Sequence, residues 1–357
     1  MKKVLLVTDV DFWVKNAGNK TRIRRLVTYL ADKVQLTVVF SCPVPGHVEM
    51  ILRDAFRADF FILEKNKHLD SNGYGRKFRA FLKDKKFDTI IIEYIHCSYF
   101  LNFLIYDVQV ILDAHDIISD RADEFQKNGH SGVVYELSRE KEIGIFKIYD
   151  YVAVLCEPDY LKVNAVLGPD KTLLCPHPVI PSRHRLRQEV RNIVFVASAF
   201  LPNVDAIIAF ITHCWPVIIK KHAVQLQIYG TVCYVLSDHA GDNIVLKGFV
   251  TDEDEIYSNA DIVINPVKFG AGLKIKNIEA LGHGVPLVTT PHGARGIERG
   301  MGNAFLVADN DVEFIRAVES VIVDLQLRIK LSENAIRLIA DSFSAESCFQ
   351  PLMNAIG

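Results

Sequence analysis

The chain has 357 residues, half of them apolar and 24% charged, with a formal net charge of -2. That length suits two domains better than one, and the composition excludes a disordered chain. The near-neutral balance argues against a nucleic-acid partner. In chain order, "MKKVLLVTDVDF" reads as a first strand (3–9); its apolar run is too short, and too soon broken by Asp9 and Asp11, for a signal peptide. A loop of about ten residues follows, then a helix from Gly18 and Asn19, with Gly18 opening the turn and Asn19 as N-cap. Further strands are expected at 34–41, 59–64, 89–94, 109–115 and 151–156. "GRKFRAFLKDKKF" (75–87) has cations around Phe78, Phe81 and Leu82 at helical spacing, a pattern suited to an anionic membrane surface or to a core stripe. "YFLNFLIYDVQVILDAH" is interrupted by Asn102 and Asp107, and no apolar run reaches 18 residues.

Prolines 176, 178 and 181 precede a basic polar stretch, the composition of a domain boundary, placed near residue 185. Strands resume at 192–198, 226–230, 243–250, 261–266, 286–291 and 304–308. Continuous apolar strands alternating with amphipathic helices predict parallel sheets covered on both faces. The fold class is therefore α/β, two tandem Rossmann-like doubly wound domains (1–185 and 186–342) facing across a cleft. A last helix, 343–357, capped by Ser344, is expected to pack back on the first domain. The seven cysteines (42, 97, 156, 175, 214, 233 and 348) are odd in number with no Cys-x-x-Cys pair, as in buried thiols of a reducing cytoplasm.

Ligands of such sheets bind at strand carboxyl ends, and there the informative residues cluster. "NPVKFGAGLKIKNIEALGHGVPLVTTPHGARG" (265–296) predicts a helix starting near Gly272. Gly270 and Gly272 leave backbone N–H groups open at its positive end, an anion site. Lys274 in the first helical turn opposes the dipole and makes sense beside an anion. Glu279 borders the apolar stripe and calls for a partner: ribose hydroxyls, or Lys276 three residues earlier. His115 and Asp116 end a buried strand in "VILDAHDIISDR", as either structural or catalytic groups.

The 265–296 segment resembles the donor signature of GT-B glycosyltransferases, in particular the retaining family 4 (glycosyl transferases group 1). "FVASAFLPNVDAIIAF" (195–210), "LKGFVTDEDEIYSNADIVINP" (246–266) and "VILDAHDIISDR" (110–121) resemble further elements of that family in the same order. The resemblance implies that Lys274 holds a donor diphosphate and Glu279 the ribose. It implies that the backbone of Phe269, Gly270, Ala271, Gly272 and Leu273 contacts sugar and phosphate, and that Phe249 and Val250 lie by the base. Gly18 and Asn19 would close on the donor, and His115 would face the transferred sugar. Two departures stand out: Ala271 occupies a position, eight before Glu279, where the family commonly has Glu, and "ASAFLPN" lacks the family's second phosphate-binding cation. Arg121 or Lys20 are the candidates to replace it.

The expected function is a metal-independent glycosyltransferase of cell-surface polysaccharide or glycoconjugate synthesis. It would use a UDP- or GDP-sugar as co-substrate, no cofactor, and a saccharide or lipid-linked acceptor. It would be cytoplasmic, with peripheral contact at an anionic membrane. Retention needs no protein base; with inversion, Asp116 would serve as one. The rival expectations are an isomerase of the nucleotide-sugar 2-epimerase type and a non-catalytic nucleotide-sugar or glycan-binding subunit.

Overall fold

A computed structural model describes residues 1–14, 17–132, 134–241 and 243–357. Residues 15 and 16, in the loop before the first helix, lie outside the described set. The chain forms two compact units: residues 1–14, 19–176 and 348–357 in the first, 17–18 and 177–347 in the second.

The first unit carries β1 (Lys3–Thr8), β2 (Gln35–Phe40), β3 (Asp59–Ile62), β4 (Thr89–Glu93), β5 (Gln109–Asp113), β6 (Tyr151–Val154) and β7 (Thr172–Leu174). They lie in the order β3-β2-β1-β4-β5-β6-β7, each pair parallel. The second unit carries β8 (Asn192–Val196), β9 (Gln225–Tyr229), β10 (Ile244–Gly248), β11 (Ile262–Asn265), β12 (Leu287–Thr289) and β13 (Leu306–Val307), in the order β10-β9-β8-β11-β12-β13 and again parallel. Helices on both faces explain the sequence pattern: in "TIIIE" every residue of β4 is buried, so apolar residues run on instead of alternating. The order reverses between β1 and β4, and between β8 and β11. Each reversal splays the loops at the strand ends and opens a ligand crevice.

Each unit has its own core. Phe78 meets Phe100 edge-on at 4.8 Å in the first, and Phe195, Phe210, Trp215 and Phe314 fill the second. Burying each such ring stabilises by roughly 1.5–3 kcal/mol. Leu201–Ile219 is long and apolar enough to cross a membrane by length and composition, yet Ile207, Phe210, Cys214, Trp215 and Ile218 on it belong to this core.

The basic segment forms the helix Ser71–Leu82, capped by Asp70, whose carboxylate accepts from Gly73 N at 2.7 Å. Its apolar stripe, Tyr74, Phe78, Phe81 and Leu82, is buried, and the cations Arg76, Lys77 and Arg79 face outward. The stripe is core, so any membrane contact there would rest on charge.

The division between the units falls after Pro176, ahead of residue 185. The proline-rich stretch is held to the second unit: Val179 N donates to Phe343 O, and Ser182 N to Gly282 O, both at 2.8 Å. At the other end the helix Ala345–Ile356 starts at Ser344, whose Oγ accepts from Ser347 N at 3.0 Å. Phe349 on it packs 5.2 Å from Tyr29, beneath the Arg22 guanidinium.

Candidate functional site

In the second unit, the loop after β11 and the loop after β8 flank the reversal of strand order. The first is the glycine turn. Gly270 has φ +116 and Gly272 +67, left-handed values that a side chain resists, and they forbid a helix before Lys274. The helix therefore runs Ile275–Gly282 with Lys274 as N-cap, not from Gly272 with Lys274 in its first turn. The lysine folds back over the turn, its Nζ donating to Ala271 O (3.1 Å) and Gly272 O (3.2 Å). Phe269 is 2% exposed and Leu273 9%, so these residues present mainly backbone, while Ala271 is half-buried.

Glu279 is buried, and Tyr257 Oη donates to its Oε2 at 3.3 Å. Lys276 does not spend its ammonium on Glu279; it donates to Asn203 Oδ1 at 2.8 Å. Phe249 and Val250 follow β10, half-buried, just past Gly248 at φ +73.

A buried amide network secures the turn. Asn265 Nδ2 donates to Asn277 Oδ1 at 2.9 Å, and Asn277 Nδ2 donates to Gly293 O at 2.8 Å. Thr289 Oγ1 donates to Asn265 O at 2.9 Å, and Thr290 Oγ1 donates to Val267 O. One helix residue thus ties together the ends of β11 and β12. A Cβ on Gly293 would lie 2.1 Å from Thr289 Oγ1, which is why "PHGARG" has glycine there.

Positive charge accumulates beside the turn. Burial, then the positive charges of Lys274 and Arg295, press His292 down to about 3, against a smaller opposing effect of its hydrogen bond to the Gly270 backbone. Burial and then Lys274 bring Lys276 down to about 7. Cations crowding each other around open amides are stabilised by a bound anion. Lys276, Asn277, His292 and Arg295 were not singled out as site residues. Their only signal in the sequence is their presence in the two glycine-rich turns and the helix between them.

In the first unit, His115 has φ +61 and Tyr94 φ +65, left-handed values uncommon for bulky side chains. Their rings stack at 4.1 Å. His115 Nε2 shares a 2.6 Å hydrogen bond with Glu93 Oε2, and Arg22 Nη2 donates to both oxygens of Asp113 at 3.1 and 2.9 Å. Burial, then Asp113, push the Glu93 carboxyl above its usual range, against the pull of His115 and Arg22. Glu93 ends β4 after an unbroken apolar run, and nothing in the sequence pairs it with the histidine two residues past β5.

Asp116 accepts from Arg121 Nη1 at 3.1 Å, and Lys20 pairs with Asp11 at 2.6 Å, so both proposed replacement cations already have carboxylate partners. Gly18 is the first residue of the helix Gly18–Ala31, which puts Asn19 inside its first turn and not at the N-cap; the Asn19 side chain hydrogen-bonds Tyr94. The first-unit structure thus gathers Asn19, Tyr94, His115 and Glu93 at the ends of β4 and β5. The second gathers residues 269–274 and Glu279 after β11.

Residues 190–324 match the family described as "Glycosyl transferases group 1". A Klebsiella pneumoniae protein described as "Uncharacterized 44.6 kDa protein in cps region" is 25% identical over 173 residues, 45% of this chain and 45% of its own length. The chain thus spans about half of that relative. Among solved structures, Staphylococcus aureus TarM, crystallised with fondaparinux, alpha-GlcNAc-glycerol and UDP, aligns over 100% of both chains with TM-score 0.76 and 12% identity. Anabaena HepE with UDP and glucose aligns over 100% of this chain and 99% of its own (0.73, 11%). WaaG, a glycosyltransferase involved in lipopolysaccharide biosynthesis, aligns over 99% and 98% (0.67, 14%). Residues 190–324 of the second unit are thus similar to the glycosyl transferases group 1 family, and the chain has the GT-B fold of these solved structures.

Proposed function

We propose that this chain transfers a sugar from a nucleotide diphosphate donor to a saccharide or lipid-linked acceptor in surface glycan synthesis. The observation that carries this reading is the glycine turn Gly270–Lys274 with the basic residues Lys274, Lys276 and Arg295 beside it, seated at the end of β11 within the region that matches the family. The diphosphate lies on the amides of residues 270–272 and on Lys274, and the ribose on Glu279. These groups meet the charge that grows on the leaving diphosphate, usually the largest share of the barrier reduction in such a transfer. They do so without a metal ion. Retention follows naturally: the departing diphosphate takes the acceptor proton on the same face, and Asp116, already paired with Arg121, is not required as a base. His115 acts at the transferred sugar, held by Glu93 and Tyr94. The UDP held by TarM and HepE supports a uridine donor, and seven buried thiols suit a cytoplasmic setting. Membrane contact, where the acceptor is lipid-linked, would use the outward cations of the helix Ser71–Leu82.

The test is incubation with a panel of UDP- and GDP-sugars, with and without crude membrane acceptor, following free nucleoside diphosphate. Acceptor-dependent release is expected, and Lys274→Ala should reduce it by about 100-fold or more while leaving the fold intact. Interconversion of the sugar without release would instead establish an isomerase. Binding without turnover would establish a non-catalytic subunit.

A further inference from the structure

A diphosphate carries more charge than one lysine neutralises, and "ASAFLPN", the loop after β8 and the first turn of the helix Leu201–Ala209, contains no cation. Lys276 reaches that loop from the other side. Its Nζ lies 4.7 Å from the centroid of the Phe195 ring, at the end of β8, and donates to Asn203 Oδ1 at 2.8 Å. Asn203 is itself aimed, since its Nδ2 donates to Ser198 O at 3.2 Å. Asn203 and Phe195 satisfy the ammonium without neutralising it. The charge that acts on it is that of Lys274, which is of the same sign.

We propose that Lys276 is the second cation of the donor diphosphate, supplied by the first turn of the helix Ile275–Gly282 in place of the loop after β8. The inference rests on the donor-site reading above. It has a consequence for protons. Burial and Lys274 lower Lys276 to about 7 in the free protein, and a diphosphate between the two lysines reverses the second effect. The groups packed on Lys276, Phe195 of β8 and Asn203 of the helix Leu201–Ala209, do not titrate. Above pH 7 the free lysine has lost its proton and the bound one keeps it, so donor binding takes up a proton and weakens as pH rises. If the bound lysine regains its ordinary value, affinity at pH 8.5 falls roughly twenty-fold below that at pH 6.5, given the free value of about 7.

The experiment is titration calorimetry with UDP-glucose and GDP-mannose at pH 6.5 and 8.5, in two buffers of different ionisation enthalpy. Neither probe has a diphosphate proton titrating in this window. Wild type should take up close to one proton per nucleotide sugar at pH 8.5. Lys276→Arg, charged throughout, should bind at both pH values with no uptake and no loss at pH 8.5. Lys276→Gln should bind about 10-fold or more weakly at pH 6.5, again without uptake. Wild-type affinity and proton uptake in Lys276→Gln would overturn the proposal while leaving the donor site standing, provided Lys274→Ala still weakens binding. Failure of wild type to bind either probe at either pH would overturn the donor-site reading and this inference with it.

Discussion

Glu93 is a carboxyl buried among Asp113, Arg22 and His115. Burial and the neighbouring Asp113 raise it above the ordinary glutamate range, so the folded protein holds this proton to higher pH than the unfolded chain does. Between the ordinary value and the raised one the folded state binds more protons, and stability must therefore fall as pH rises through that window. Glu93→Gln removes the group that titrates and keeps its shape. Melting temperatures measured from pH 4.5 to 8 should show wild type losing stability relative to this variant as pH increases. Parallel profiles would show that Glu93 is ionised as readily in the folded chain as in the unfolded one.

Single elements show how far local pattern reached. The carboxyl ends of β5 and β11 stand out in the sequence as candidate places, because short apolar strands run there into His-Asp and into a glycine turn, patterns that a purely structural role also fits. The start of the helix after β11 was misplaced to Gly272 because sequence spacing does not report φ; at +67 that glycine must lie outside the helix. Nor does spacing report where a lysine points. Lys276 sits three residues before Glu279, the interval of a helical ion pair, yet it reaches Asn203, 73 positions away in the chain. The Asn265–Asn277–Gly293 network was invisible for the same reason: its members are far apart in sequence and unremarkable singly. Asn277→Ala leaves the Asn265 amide and the Gly293 carbonyl without this buried partner, and should cost about 2–3 kcal/mol. A urea midpoint shift for the second unit measures this; a loss under about 0.5 kcal/mol would mean that the network is not holding the turn.

At the scale of the whole molecule, two parallel sheets could be read from the order of apolar runs alone, since strands buried on both faces announce themselves. The three-residue β7 and the place of the division were harder. An edge strand that short has no pattern, and a proline-rich stretch looks like a linker even where, as at Val179 and Ser182, its backbone is bonded to the second unit. What the fold contributes to function is the pair of strand-order reversals, each bringing loops from two strands to one crevice. In the second unit that crevice holds the glycine turn, and the account stands on what the turn binds. The most direct measurement is a crystal structure of the protein soaked with UDP. The expected result has the diphosphate on the amides of residues 270–272, the Lys274 ammonium moved from the Ala271 and Gly272 carbonyls onto phosphate oxygen, and the ribose hydroxyls on Glu279. A nucleotide bound elsewhere, or one that residues 274 and 279 do not touch, would contradict it.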